Sequence, residues 1–92
     1  MKVRYTETAL VEIDEILTYV GARNPSAADR IGLQIDRTLQ RVGQFPRSSV
    51  KHADEPNTYV TLVGRFPYRI YYTIEQDEIV VFHVRHTARR PL

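Results

Sequence analysis

The fold of this 92-residue chain is decided by residues 65–92, which read RFPYRIYYTIEQDEIVVFHVRHTARRPL. Apolar and polar side chains alternate over Tyr68–Ile74 and again over Ile79–His86, and the acidic turn Glu75–Glu78 separates the two runs. A period of two residues is typical of a β-strand with one buried face. The stretch therefore predicts two antiparallel strands joined by a tight turn.

Further strands are predicted upstream of this hairpin. Tyr59–Val63 is β-branched and aromatic, and a turn over residues 64–67 joins it to the hairpin, which makes a three-stranded meander. Lys2–Tyr5 also alternates and predicts a strand near the start of the chain. Residues 47–57 are polar and are predicted to form an exposed loop.

Two amphipathic helices are predicted between the first strand and this loop. The first begins after Thr6 as its N-cap and ends at Gly21, and the second begins at Ser26 and is stopped by Gly43 and Pro46. Both have apolar residues at helical spacing on one face only. These stripes are Ala9, Ile13, Ile16, Leu17 and Val20 in the first helix, and Ala28, Ile31, Ile35, Leu39 and Val42 in the second.

The fold class follows from how these elements bury their apolar faces. Each helix has a narrow apolar stripe, so both helices need the same face of the sheet. We predict an α+β fold in which an N-terminal strand precedes an antiparallel helix hairpin, packed on one face of a small, mainly antiparallel sheet that ends in the meander. We expect residues 1–92 to form a single domain.

The alternation also predicts which side chains lie on the face of the sheet that the helices do not cover. Tyr68, Ile70, Tyr72 and Ile74 are assigned to the helix-covered face with Val80, Phe82 and Val84. Arg69, Tyr71, His83 and Arg85 are then assigned to the open face. The bases His83, Arg85, His86, Arg89 and Arg90 have no acid near them in the sequence. We therefore expect a cationic, aromatic surface that suits a polyanion or an acidic partner.

Composition excludes several classes of site. The chain has no cysteine, which removes disulfides and thiolate chemistry. Its three histidines show no metal-ligand spacing, so neither a metal nor another cofactor is expected. No signal peptide and no apolar run of about 18 residues is present, and a cytoplasmic location is expected.

The hairpin residues also carry a resemblance to a known family. Tyr68-Arg69-Ile70-x-Tyr72 and Val81-Phe82-x-Val84-x-His86 followed by Arg89, in this order of elements, resemble the ParE/RelE superfamily of bacterial toxins. The resemblance covers essentially the whole chain. It implies a small cytosolic toxin of a plasmid-stabilising type II toxin-antitoxin system, which causes growth arrest and is neutralised by an antitoxin with an extended, acidic segment.

The resemblance leaves two mechanisms open. The RelE-like branch cleaves mRNA on the ribosome, and on this chain Arg69 and Arg89 would stabilise phosphate while His83 would transfer a proton. However, residues 57–62 read NTYVTL without the lysines of that branch, and the chain lacks its terminal tyrosine. These absences favour the ParE-like branch, which inhibits DNA gyrase. A third interpretation is an inactive module that only binds an antitoxin.

Candidate site residues are consequently assigned to a binding surface rather than to catalysis. We predict that the target or the antitoxin contacts Arg69, Tyr71, His83, Arg85, Arg89 and Arg90. Two alternative interpretations stay open: Arg69 forms a cross-strand ion pair with Glu78 or with an acid on a neighbouring strand, and residues 88–92 form a frayed tail.

Overall fold

A five-stranded sheet with a helix hairpin packed on it forms the structure, a computed structural model that describes residues 1–92. The elements in chain order are β1 (Lys2–Tyr5), α1 (Glu7–Arg23), α2 (Pro25–Gln44), β2 (Val50–Lys51), β3 (Thr58–Leu62), β4 (Tyr68–Glu75) and β5 (Glu78–His86). In space the strands follow the order β1-β5-β4-β3-β2. Only β1 and β5 are parallel neighbours. The predicted α+β fold class is confirmed.

The two helices are separated by a single residue. Asn24 ends α1, since its N–H donates to the Val20 carbonyl, and it also begins α2, since its side chain accepts from the Ala27 N–H at 3.1 Å. Pro25 occupies the first turn of α2, where the missing N–H costs nothing. The predicted helix boundaries at Gly21 and Ser26 are therefore wrong, although Thr6 is confirmed as the N-cap of α1.

The predicted loop over residues 47–57 contains a short strand. Val50 and Lys51 pair with Val60 and Tyr59 of β3, so they form the outer edge of the sheet. A strand of two residues is too short to show a period of two in the sequence. The remainder of the segment has no regular structure apart from turns.

A β-bulge in β5 changes the predicted faces of this strand. Tyr71 pairs with His83 but Tyr72 pairs with Val81, so Phe82 is an extra residue in β5. The inward residues before the bulge are consequently Ile79 and Val81, not Val80 and Phe82. The assignment of Val80 and Phe82 to the helix-covered face is wrong, because one inserted residue reverses the alternation, although Val80 is still buried.

The core lies between the helix hairpin and the inner face of the sheet. α2 supplies most of its helical part with Ile31, Ile35, Leu39 and Val42, whereas α1 buries only Ala9 fully. Tyr72 is fully buried, its ring stacks on Tyr59 at 5.3 Å, and its hydroxyl donates to the Pro46 carbonyl at 2.7 Å. Because this hydroxyl has an acceptor, the large ring can be buried without an unpaired polar group.

The outer face of the sheet is less open than the sequence predicts. Tyr71 is 2% exposed although it points outward, and the ring of Phe82, displaced by the bulge, packs 6.3 Å from it. The segment after β5 is also tethered: Thr87 N–H donates to the Pro67 carbonyl at 2.8 Å, and His52 Nε2 donates to the Leu92 oxygen at 2.6 Å. Tyr71 is therefore buried by packing and is not exposed for contact with a partner.

Neither helix has the length and apolar character needed to cross a membrane.

Candidate functional site

Glu12 of α1 organises the C-terminal half of β5. Its Oε1 accepts hydrogen bonds from His83 Nδ1 and from the Val84 N–H, both at 3.0 Å, and its Oε2 lies 3.8 Å from Arg85 Nε. β1 pairs with β5 only as far as Val81, so the Val84 N–H lies on a strand edge and needs another acceptor. We call Glu12, His83, Val84 and Arg85 the Glu12 network.

The Glu12 network corrects the prediction of an acid-free surface. His83 and Arg85 both meet a carboxylate, and this carboxylate comes from a helix 71 residues earlier in the chain. The Glu12 side chain is only 15% exposed, so water screens its contacts with His83 and Arg85 weakly. The network therefore neutralises part of the cationic charge predicted for β5 and holds the His83 ring through Nδ1.

Arg69 of β4 has no carboxylate partner. It lies opposite Arg85 in β5, and its Nη1 donates to the Thr87 carbonyl at 3.1 Å. The alternative ion pair with Glu78 is wrong, because Glu78 lies at the other end of β5 and its carboxylate is 4.0 Å from Arg4 Nε. Arg69 is consequently a half-buried cation whose charge is uncompensated.

Two concave regions flank the sheet. The larger, which we call the basic groove, has a volume of about 860 Å³, and its lining residues are Gln34, Arg37, Thr38, Arg41, Ser48, Ser49, Val50, Val60, Thr61, Leu62, Gly64 and Arg69. The smaller, which we call the terminal cleft, has a volume of about 330 Å³, and its lining residues are Glu12, Glu15, Ile16, Tyr19, Tyr68, Val84, Arg85, His86 and Arg89.

The six predicted site residues differ in burial and in the concave region that they line. Arg69 lines the basic groove, whereas Arg85 and Arg89 line the terminal cleft. His83 lines neither of them, and Tyr71 is buried. Arg90 is exposed in the segment after β5. Arg69 nevertheless lies opposite Arg85 across β4 and β5, and its Nη1 donates to the Thr87 carbonyl, so these cations adjoin each other.

Arg37 and Arg41 are the cations of the basic groove that the sequence analysis missed. They are four residues apart on α2, so they lie on the same side of the helix, and Arg41 Nη2 donates to Thr61 Oγ1 at 3.2 Å. Arginines on the polar side of an amphipathic helix are usually solvated, so the sequence alone does not distinguish these two from ordinary surface residues. The spacing of four was the only signal available in the sequence.

The terminal cleft combines carboxylates, arginines and phenols. Tyr68 lies edge-on to the His86 ring at 5.4 Å, and burial raises the pKa of its hydroxyl above 10.0, with the Tyr19 phenol as a smaller cause. His86 Nδ1 accepts from the Ala88 N–H at 2.9 Å, which assigns its proton, when neutral, to Nε2. Because its pKa is raised, the Tyr68 hydroxyl remains a neutral hydrogen-bond donor at physiological pH.

No group of three or more histidine, cysteine, aspartate or glutamate side chains is placed to hold a metal ion.

Comparison with known proteins identifies the family. The family described as "ParE toxin of type II toxin-antitoxin system, parDE" matches residues 3–91. The chain belongs to the ParE toxin family. This ParE-family toxin is 27% identical over 89 residues to Y4kP of Sinorhizobium fredii (strain NBRC 101917 / NGR234), a protein named as a candidate toxin. The alignment covers 97% of the chain and 91% of Y4kP.

Solved structures of toxins share the fold of this ParE-family chain. The chromosomal ParDE system of P. aeruginosa matches with a TM-score of 0.80 at 16% identity and covers 94% of this chain and 95% of that one. The isolated E. coli RelE toxin matches with a TM-score of 0.70 at 19% identity over 97% and 86% of the two chains. The intact E. coli RelBE toxin-antitoxin complex matches with a TM-score of 0.70 at 21% identity over 97% and 98%. Identities this low carry the fold and not the mechanism.

Proposed function

We propose that this ParE-family toxin inhibits DNA gyrase, holds the enzyme on cleaved DNA, and so arrests growth until a cognate antitoxin neutralises it. The proposed site of action is the cytoplasm, and the proposed biological role is plasmid stabilisation. The chain acts in this proposal as a protein inhibitor and catalyses no reaction itself.

One observation carries this proposal: two of the groups that an mRNA endonuclease would use are held in structural contacts. Cleavage by a 2′-hydroxyl needs a base, an acid and cations around one phosphate. Arg69 Nη1 donates to the Thr87 carbonyl, and His83 Nδ1 is hydrogen-bonded to Glu12 Oε1. An inhibitor that binds another protein needs no free acid or base, so these contacts support gyrase inhibition over RelE-like mRNA cleavage.

The charge distribution supports an acidic antitoxin segment as the second partner. The chain has a net charge of +2, and its exposed or half-buried arginines include Arg69, Arg85, Arg89 and Arg90. A disordered acidic segment that folds on binding can cover cations on two sides of a small domain. We propose that antitoxin binding buries part of this set, and a complex in which all four arginines stay exposed would contradict it.

The test of the proposed function is a supercoiling and cleavage assay with purified chain and purified gyrase. We expect a dose-dependent loss of supercoiling with accumulation of cleaved DNA. Adding a cognate antitoxin should reverse both effects at equal stoichiometry. The same chain after heat denaturation serves as the control for nonspecific inhibition.

The alternatives are separated by a second assay on translating ribosomes. Cut messages that disappear with Arg69→Ala or Arg89→Ala would replace the proposal with the RelE-like mechanism. Neither gyrase inhibition nor mRNA cleavage, from a folded chain that still binds the antitoxin, would instead make it an inactive antitoxin-binding module.

A further inference from the structure

The arginines in the middle of α2 lie on one side of the helix. Arg30, Arg37 and Arg41 are spaced by seven and four residues, which are close to whole turns, so their side chains leave the helix in nearly the same direction. All three are exposed, and we call them the arginine stripe. The stripe lies on the flank of α2 that faces β3, because Arg41 Nη2 donates to Thr61 Oγ1 at 3.2 Å.

The acidic residues of α2 lie on a different flank. Asp29 and Asp36 are its only acids, and they too are seven residues apart and share one side of the helix. Burial and, to a smaller extent, the Asp36 carboxylate raise the pKa of the Tyr5 phenol in β1, which places these acids on the β1 side. The ion pairs of the chain join β5 to β1 and to α1, and none includes an arginine of the stripe. The stripe is therefore a surface of uncompensated positive charge.

The space beside the stripe also lacks negative charge. Arg37 and Arg41 line the basic groove, and no aspartate or glutamate lines it. Gln34 lies between the arginines on the same side of the helix and adds a neutral hydrogen-bond donor. Arginines with neutral donors between them are the groups that proteins use to contact phosphate oxygens.

The length of the stripe fits duplex DNA. Arg30 and Arg41 are 11 residues apart, which at about 1.5 Å per residue is about 16 Å along the helix axis. The major groove of B-DNA is about 12 Å wide. A helix lying across this groove would therefore bring Arg30 to one phosphate wall and Arg41 to the other. Such contacts position a protein on DNA and read no sequence, so no base contact is required.

A duplex complements the stripe better than an acidic peptide does. A flexible peptide must lose conformational freedom before it can hold acids about 16 Å apart, whereas a duplex presents one negative charge per about 1.7 Å of axis at fixed positions. The backbone of the stripe is fixed as well, because the other side of α2 is anchored in the core by Ile31, Ile35 and Leu39. Contact between two preorganised surfaces costs little ordering.

We infer that the arginine stripe binds the phosphate backbone of duplex DNA, and that in the complex with gyrase it contacts the DNA segment that the enzyme holds. This inference rests on the proposed function, which brings the chain to DNA bound by gyrase. It assigns the DNA contact to α2, which the binding surface predicted from the sequence does not include.

The test measures the salt dependence of binding between the full chain and a fluorescent duplex of about 20 base pairs, in the absence of gyrase. Each neutralised phosphate contributes about −0.9 to the slope of log K against log salt, so three arginines predict a slope of about −2.7. Raising the salt concentration threefold should then weaken binding about twentyfold. Arg37→Gln should reduce the slope to about −1.8.

The matched control is Arg4→Gln. It removes the same charge from β1, at the other edge of the sheet from β3, and should leave the slope unchanged. Circular dichroism of both variants verifies that each remains folded.

Three outcomes would overturn the inference. They are equal slopes for the Arg37→Gln and Arg4→Gln chains, binding that does not depend on salt, and tighter binding of polyglutamate than of the duplex. The last of these would reassign the stripe to an acidic protein. Tighter binding of an RNA duplex of the same length would reassign it to RNA.

A second measurement repeats the gyrase cleavage assay with the same two variants. Arg37→Gln should require about fivefold more chain for half-maximal cleavage, whereas Arg4→Gln should require the same amount as the unchanged chain. Equal requirements for the two variants would refute the contact with gyrase-held DNA. Since the duplex titration contains no gyrase, failure of the proposed function and failure of the inference are seen separately.

Discussion

Replacement of Glu12 by alanine should destabilise the chain strongly for a partly exposed residue. The substitution removes two hydrogen bonds of 3.0 Å to a carboxylate and leaves the Val84 N–H without an acceptor. Hydrogen bonds to charged groups contribute about 1.5–3 kcal/mol each, and these two are not additive. The contact with Arg85 Nε at 3.8 Å adds little. We expect Glu12→Ala to lower the free energy of unfolding by about 3 kcal/mol.

Urea denaturation followed by far-UV circular dichroism measures this loss. With a denaturant slope of about 1.5 kcal/mol/M, the midpoint should fall by about 2 M. Glu15→Ala is the matched control, because Glu15 lies on the same helix but is exposed and makes no hydrogen bond or ion pair; its effect should stay below about 0.5 kcal/mol. Equal midpoints for the two variants would refute the argument that Glu12 satisfies the edge of β5.

Three further predictions concern stability and use the same denaturation assay. Tyr72→Phe should cost about 1 kcal/mol, because it removes the hydroxyl that donates to the Pro46 carbonyl and leaves that carbonyl unpaired; an unchanged midpoint would contradict it. Asn24→Ala should cost about 1 kcal/mol through loss of the α2 N-cap, whereas Asn24→Ser should restore most of the stability. Stability should fall above about pH 10, since burial raises the pKa values of Tyr5, Tyr68 and Tyr72, so the unfolded chain loses protons first; a flat profile to pH 11 would disprove it.

The fold was predictable because the largest elements have clear periodicity. The stripe of Ile31, Ile35, Leu39 and Val42 identifies α2, and the alternation over residues 68–74 identifies β4. Boundaries were predicted less well where one residue has two roles, as Asn24 does between the helices. Periodicity locates an element, but hydrogen bonds at its ends determine where it stops.

The candidate site was less predictable because its decisive contacts join distant residues or depend on one inserted residue. Nothing local connects Glu12 to His83, and nothing local marks Phe82 as the bulge that reverses the faces of β5. Tyr71 was therefore predicted to be exposed although the displaced Phe82 ring packs against it. The arginines of α2 gave a spacing but not a partner.

The parallel pairing of β1 with β5 has a consequence for the synthesis of the toxin. Lys2 and Val3 pair with Glu78 and Ile79, so β1 has no neighbour in the sheet until β5 has been synthesised. Pairing across such a separation is slow, because the loop must close before the contact stabilises it. A nascent chain shorter than β5 therefore lacks the finished sheet and the Glu12 network. The finished sheet therefore forms only after β5 has emerged from the ribosome.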